Sequence, residues 1–310
     1  MLRVKNISIS FTRYTKKRKR QTLSPVSDIS LDVQAGEVVA LIGASGAGKS
    51  LLAHALLGLL PKNATMTGEY RFKGEHIGPK RIKELRGRDI ALIPQSISYL
   101  NPLIKVRKQV YRSARLSGRC HCTAGERCDK AFARYNLADS VKSMYPFQVS
   151  GGMARRVLTA TATAGKADLI IADEPTTGLD PKVATQSLKH LRELAEQGKG
   201  VLLITHDLEN AVRFSDTIVV LYNGTTVEVT QAAALHEGKS ILHPYTRALW
   251  QALPKNGFTA LPPAPPSIGD SRNACNFAPR CHIATEACKK SIPTLRSING
   301  TMVRCFHARS

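Results

Sequence analysis

No stretch of the sequence reaches the roughly 18 consecutive apolar residues that a membrane-spanning helix needs. The opening MLRVKNISIS also lacks the apolar core of a signal peptide. These absences predict a cytosolic or membrane-peripheral chain. Acidic residues are scarce: 23 Asp and Glu stand against 45 Lys and Arg, a net charge of +22. That balance favours an anionic partner, nucleic acid or the inner face of a membrane, without choosing between them. Cysteine is sparse too. Seven residues at uneven spacing are too few for a disulfide scaffold in a 310-residue chain, so they read as thiols or metal ligands. The length leaves room for a large α/β domain and a smaller appendage.

What is present is organised around residues 36–50, GEVVALIGASGAGKS. Val38 to Ile42 is a short apolar run of strand type. Gly43, Ala44, Ser45, Gly46, Ala47, Gly48, Lys49 and Ser50 then fit G-x-x-x-x-G-K-[ST] at every fixed position, and a run of helix formers follows at once. The glycines are expected to let the backbone take positive φ and approach a ligand, so that successive N–H groups and the helix N-terminus face phosphate oxygens. Lys49 would reach the β- and γ-phosphates, and the Ser50 hydroxyl would ligate Mg²⁺.

Around this centre the pattern changes twice. Residues 2–10 alternate like a strand that Phe11 closes, Thr12 to Gln21 reads as a solvated basic loop containing Lys16 to Arg20, and residues 26–33 form a second strand. Thr67 to Phe72 with its Lys73-Gly74 turn suggests a small hairpin, Arg81 to Arg86 a short helix, and Asp89 to Pro94 a buried strand. Residues 96–165 turn helical; within them Cys120, His121, Cys122 and Cys128 could bind a metal, but the absence of a C-x-x-C pair and of a fourth sulfur weighs against a site. From 166 the α/β pattern returns: a strand over Asp168 to Ala172, a helix over Pro181 to Gln197, a strand over Gly200 to Ile204, and a hairpin turning at Asn223-Gly224. Leu253 to Pro266 is a Pro-rich linker, and four of the cysteines follow it.

An apolar strand ending in Asp173 supplies what a nucleotide site needs beside the loop, a carboxylate for Mg²⁺, and Glu174 next to it can orient or deprotonate the attacking water. The order GASGAGKS, Gln95, Val149-Ser-Gly-Gly-Met153, IIADEPTTGLD and His206 resembles the ATP-binding-cassette (ABC) family over about residues 1–235. The resemblance implies an α/β fold: a P-loop ABC nucleotide-binding domain with a RecA-like core and antiparallel β subdomain (1–95 and 166–235), a helical signature subdomain (96–165) and a Cys-containing C-terminal extension (236–310). It also implies residue roles. Gln95 resembles the lid glutamine that senses the γ-phosphate, joins Ser50 and Asp173 around Mg²⁺ and touches the permease. Ser150, Gly151 and Gly152 resemble the signature that caps ATP on the opposite subunit, Asp180 the D-loop aspartate, and His206 the switch histidine. Phe11 sits where the family stacks an aromatic ring on adenine, with Tyr14 as rival. Val149 and Met153 depart from the usual Leu and Gln of the signature.

The tail narrows the resemblance. His243-Pro-Tyr-Thr-Arg247, and Cys275, Cys281, Cys288 and Cys305 at spacing C-x5-C-x6-C-x16-C, are similar to the extension of the dipeptide, oligopeptide and nickel importer ATPases. Four thiolates suit an iron-sulfur cluster or zinc, or are simply buried or reactive thiols; the resemblance implies [4Fe-4S], with His282 and His307 as weak substitute ligands. The implied function is ATP hydrolysis driving import of peptides or nickel chelates. Its implied partners are a second ATP-binding subunit, identical or related, two transmembrane permeases and an extracytoplasmic solute-binding protein, with the chain peripheral at the cytoplasmic face of the inner membrane and no nucleic acid bound. The alternative is a soluble nucleic-acid-associated ATPase, which the charge suits; but such proteins usually carry two cassettes or long coiled-coil insertions, and the sequence has neither.

Overall fold

The structure, a computed structural model, describes residues 1–14, 20–116, 121–238, 240–259 and 273–309. Its strands are β1 (Leu2–Tyr14), β2 (Arg20–Val33), β3 (Val38–Gly43), β4 (Ala64–Phe72), β5 (Glu75–His76), β6 (Ile90–Ile93), β7 (Leu169–Asp173), β8 (Gly200–Thr205), β9 (Thr217–Tyr222), β10 (Thr225–Gln231), β11 (Arg296–Ile298) and β12 (Thr301–Val303). Its helices are α1 (Lys49–Leu56), α2 (Pro79–Leu85), α3 (Val106–Leu116), α4 (His121–Arg134), α5 (Gly151–Thr163), α6 (Pro181–Glu196), α7 (Leu208–Phe214), α8 (Ala232–Glu237), α9 (Pro244–Gln251) and α10 (Glu286–Lys290). Among the described residues no helix is long and apolar enough to cross a membrane. The chain divides into two compact units: Met1, Gln34–Val38 and Ile77–Ile204 form the first, and Leu2–Val33, Val39–His76 and Thr205–Ser310 the second.

In the first unit β6, β7 and β8 run parallel, with Ile93 opposite Ala172 and Asp173 opposite Ile204. Their near-continuous apolar runs suit strands buried on both faces, and Leu169, Ile171, Val201 and Leu202 are wholly buried. The helical segment 96–165 lies wholly in this unit. Val106, Val110 and Ala114 recur every fourth residue on α3 and pack with Phe132 and Val157 from α4 and α5. Cys128 belongs to this apolar core: it is fully buried, its thiol points at the Arg107 carbonyl (3.8 Å), and burial pushes its pKa up. Cys120 and the side chains of His121 and Cys122 lie outside the described residues.

The second unit holds an antiparallel sheet ordered β2-β1-β4-β5. β1 runs past Phe11, pairing Thr12 with Thr22 and Tyr14 with Arg20, and the Arg13 guanidinium donates to the Gln21 amide oxygen (2.9 Å). The basic loop expected from Thr12 to Gln21 is therefore shorter than the sequence suggests, because these cross-strand pairs extend the ladder; residues 15–19 lie outside the described residues. In the same unit β3 runs parallel to β9, and β9 folds back onto β10 through Asn223 and Gly224, whose φ values of 45° and 76° make the turn that twisted hairpins favour. The tail then adds β12 to β10 and β11 to β12. These two strands were not foreseen, since three-residue segments carry too little periodicity to read. Arg304, just past β12, pins them. Its guanidinium donates to the Thr226 and Pro293 carbonyls and pairs with Asp28 at 2.8 Å. The start of the Pro-rich linker makes a short 3-10 turn at Pro254–Asn256, and residues 260–272 lie outside the described residues.

Candidate active site

The loop of residues 43–50 joins β3 to α1 in the second unit. Gly46 and Gly48 take the positive φ expected of them (80° and 90°). Gly43 is different. Its backbone is not left-handed, but a Cβ there would stand 2.5 Å from the Leu221 carbonyl oxygen, so it is glycine for clearance against β9. Ala44, Ser45 and Gly46 are exposed, while Ala47 is buried and its amide donates to the Ala44 carbonyl (3.1 Å). Lys49 is only 7% exposed, and its ammonium donates to the Gly43 (2.7 Å) and Ala44 (3.1 Å) carbonyls. The loop thus folds around its own lysine, and its exposed residues 44–46 leave the chain open to an anionic ligand. Ser50 follows Lys49 in the first turn of α1. Phe11 sits half-buried within β1, opposite Leu23 and Ala64, and Tyr14 ends that strand.

His206 follows β8 and also belongs to the second unit. It lines a cavity of about 190 Å³ together with Gly43 and Ala44 of the loop and Tyr245, Leu249 and Arg280 of the tail. This participation of the tail was invisible in the sequence, because the three tail residues lie far from the loop along the chain.

The first unit carries the remaining residues. Gln95 follows β6 and Asp173 ends β7, and because β6 and β7 are adjacent and parallel both lie at the carboxyl ends of the strands, where α/β sheets bind ligands. Asp173 is 3% and Glu174 6% exposed. Glu174 has φ 49°, the left-handed region that costs a non-glycine residue about 1–3 kcal/mol. It is held there by its amide, which donates to the Ile204 carbonyl (2.9 Å), and by the Thr177 hydroxyl, which donates to its carboxylate (3.3 Å). Ser150 caps α5 by accepting the Met153 amide (3.3 Å), and exposed Gly151 has nothing within 4 Å of where a Cβ would stand. Asp180 caps α6 through two amides at 3.1 Å. Of the residues expected around Mg²⁺, Ser50 belongs to the second unit and Gln95 and Asp173 to the first.

The tail cysteines gather in the second unit. The Cys275 amide donates to the Cys288 carbonyl (2.9 Å). Burial raises the thiol pKa values of Cys275 and Cys281, and the neighbouring Cys288 and Cys305 raise both further. His307 comes within 3.4 Å of the Cys288 sulfur. Among the described residues, however, no group of three or more His, Cys, Asp or Glu is arranged to hold a metal ion.

Known proteins are similar to this chain in sequence and in fold. Residues 26–177 match the family described as ABC transporter, and residues 227–288 the oligopeptide/dipeptide transporter C-terminal region. A putative peptide import ATP-binding protein of Brucella abortus is 34% identical over 98% of this chain and 94% of its own length. The dipeptide transport ATP-binding protein DppD of Escherichia coli is 34% identical over 91% and 90%, and the oligopeptide transport ATP-binding protein OppD of Haemophilus influenzae 32% identical over 99% and 97%. Among solved structures, a dimeric bacterial ABC transporter cassette superposes with a TM-score of 0.66 at 26% identity, covering 75% of this chain and 99% of that one. A dimeric post-hydrolysis cassette bound to ADP and phosphate gives 0.65 at 25% identity, with the same coverage.

Proposed function

Because this chain belongs to the ABC transporter family, as an ATP-hydrolysing ATP-binding protein, we propose that it powers a peptide importer, binding two ATP molecules in a dimer with a second ATP-binding subunit and docking on two transmembrane permeases fed by an extracytoplasmic solute-binding protein. It would lie at the cytoplasmic face of the inner membrane. The observation that carries the peptide assignment is the tail, whose residues 227–288 match the oligopeptide/dipeptide transporter region. Docking is supported by the exposed apolar side chains that follow Gln95, namely Ile97 (47%), Tyr99 (51%) and Leu103 (84%), the kind of surface that a partner covers.

The reaction is phosphoryl transfer to water, and it needs positioning and charge stabilisation more than covalent chemistry. Backbone amides of the 43–50 loop and the Lys49 ammonium hold the β- and γ-phosphates. Ser50, Asp173 and Gln95 would hold Mg²⁺, which would supply charge neutralisation for the transferring phosphoryl group. Glu174, fixed by the Thr177 hydroxyl and the Ile204 carbonyl, takes the proton from the attacking water. His206 orients the γ-phosphate. Ser150, Gly151 and Gly152 present an open helix N-terminus to the nucleotide of the partner subunit, with Asp180 beside that contact, and Phe11 stacks on adenine. A [4Fe-4S] cluster on Cys275, Cys281, Cys288 and Cys305 would have the sulfur donors it takes. Iron and sulfide analysis of anaerobically purified protein tests it, and colourless, iron-free protein rejects it.

The function is tested by reconstituting the chain with its permeases in vesicles and following uptake of labelled dipeptides and oligopeptides. Uptake that requires ATP and stops with Glu174→Gln, which should also trap an ATP-bound dimer on gel filtration, is the expected result. Uptake of a nickel chelate and of no peptide would overturn the cargo assignment.

A further inference from the structure

The charge of the first unit is unevenly placed. Between Asp89 and Glu126 the chain has no acidic residue but six Lys or Arg residues. Four of these, Lys105, Lys108, Arg112 and Arg115, recur at i, i+3, i+7 and i+10, just before α3 and along it. At 3.6 residues per turn they fall within an arc of about 80°. That arc lies opposite Val106, Val110 and Ala114, which face the core, and all four basic residues are exposed. The helix gains little from them. Like charges three and four residues apart repel, and Lys105 stands at the positive end of the helix dipole, so that only Arg115, in the last turn, is favoured there. Elsewhere in the unit basic side chains are neutralised: Arg107 (3.5 Å) and Lys142 (2.8 Å) share Asp129, and Arg134 pairs with Glu193 at 2.7 Å. Among the described residues none of the four in the stripe has an acidic partner.

Apolar side chains stand at both ends of the stripe. Lys105 lies over the Tyr145 ring at 6.0 Å, Tyr145 stacks on Phe147 at 5.6 Å between centroids, and Phe147 is 73% exposed. The Val106 amide donates to the Met144 carbonyl (2.9 Å), which fastens this segment to the start of α3. At the far end Leu116 is 55% exposed. A row of cations bracketed by exposed apolar side chains is the composition of a surface that lies on the headgroups of a membrane, with charge on the phosphates and Phe or Leu toward the acyl boundary. A polynucleotide would answer the charges but not the aliphatic Leu116. The stripe also begins two residues after Leu103, and is thus continuous along the chain with the segment proposed above to dock on the permeases.

We propose that Lys105, Lys108, Arg112 and Arg115 form a seat for anionic lipid headgroups, holding the helical segment of the first unit on the cytoplasmic leaflet. The inference rests on the importer reading only for a location at the membrane. The test is flotation of the full chain with permease-free vesicles of phosphatidylcholine, with and without about 30% phosphatidylglycerol. Binding is expected to need the anionic lipid and to fall as salt is raised. Lys108→Gln combined with Arg112→Gln is expected to weaken it about 10- to 30-fold, the size of two charges at a membrane surface, with the parent rate of ATP hydrolysis and a melting temperature no lower than the parent's. Lys189→Gln combined with Lys290→Gln removes the same net charge from exposed positions on α6 and α10 and is expected to leave binding within about 2-fold. Equal loss in both pairs of variants, equal binding to neutral and anionic vesicles, or binding to neither overturns the proposal. So does RNA or DNA binding that is tighter than vesicle binding and lost with the same two charges. Because the vesicles hold no permease and no peptide, failure here leaves the importer reading standing, and failure of peptide uptake leaves the vesicle result to stand on its own.

Discussion

Residues 43–50 and residues 275–307 lie in the same unit and were both singled out from sequence spacing, but they assemble their chemistry differently. The loop works with backbone amides, a clearance glycine and one lysine, all within a single turn of chain, so the motif and the geometry are nearly the same thing. The tail works with side chains drawn from separate turns and a short helix, and with His307 brought against Cys288 from beyond β12. Spacing along the chain can specify the first kind of site. It can only nominate members for the second.

The sharpest way to probe that contrast is Lys49→Ala. It removes the ammonium that the loop folds around, and hydrolysis is expected to fall by about 10²–10³-fold or more, the scale of losing one preorganised charge-stabilising group, with folding intact by circular dichroism. Residual turnover near the parent rate would mean that the loop is not the phosphate site. Next in size is Gly43→Ala, where the new methyl meets the Leu221 carbonyl at 2.5 Å. Overpacking of this kind costs about 1–3 kcal/mol, visible in thermal unfolding. Gly151→Ala, with open space around it, should leave the melting temperature unchanged.

A smaller effect comes from the tail. Burial lowers the His243 pKa to about 3, from an ordinary value of 6.5, so the folded ring stays neutral where the unfolded one gains a proton. The stability it contributes is fully present above pH 6.5 and is lost as pH falls from there toward 3. Between pH 7 and 5.5 the loss is expected to be about 1 kcal/mol, measured by denaturant unfolding, and His243→Asn should flatten that slope. The smallest change is expected from Cys281→Ser in reduced, metal-free protein, less than about 1 kcal/mol for a half-exposed thiol. If anaerobic protein carries a cluster, the same substitution should release iron, which would move the tail from a packing element to a cofactor site.

Much of the fold was legible because the first unit's strands are uninterrupted apolar runs and its helices show spacing of four, as at Val106, Val110 and Ala114. Strand ends were less so. The pairing of Thr12 with Thr22 extends β1 through a stretch that reads as charged loop, because the ladder depends on the partner strand and not on local composition. In the site, Gly46 and Gly48 behave as their residue type suggests, whereas the reason for Gly43 lies in the Leu221 carbonyl, on a strand that closes against it only in the fold. The left-handed backbone of Glu174 was equally hidden, since nothing in Asp-Glu-Pro announces it. Tyr245 was noted only as part of a tail motif; its position behind the loop depends on the buried Glu228 that fixes the start of α9.

The way the tail is fastened bears on where this protein can be cut. Ending the chain near residue 235 would strip β10 of its neighbour β12, leaving an open sheet margin able to pair with another molecule. It would also leave Asp28 without the Arg304 guanidinium, and would remove the Leu242 and His243 amides that the Glu228 carboxylate accepts. A cassette trimmed to its motif-bearing residues is therefore an unfinished object, prone to stick to its own kind, and the smallest soluble catalytic fragment should include everything through Arg304.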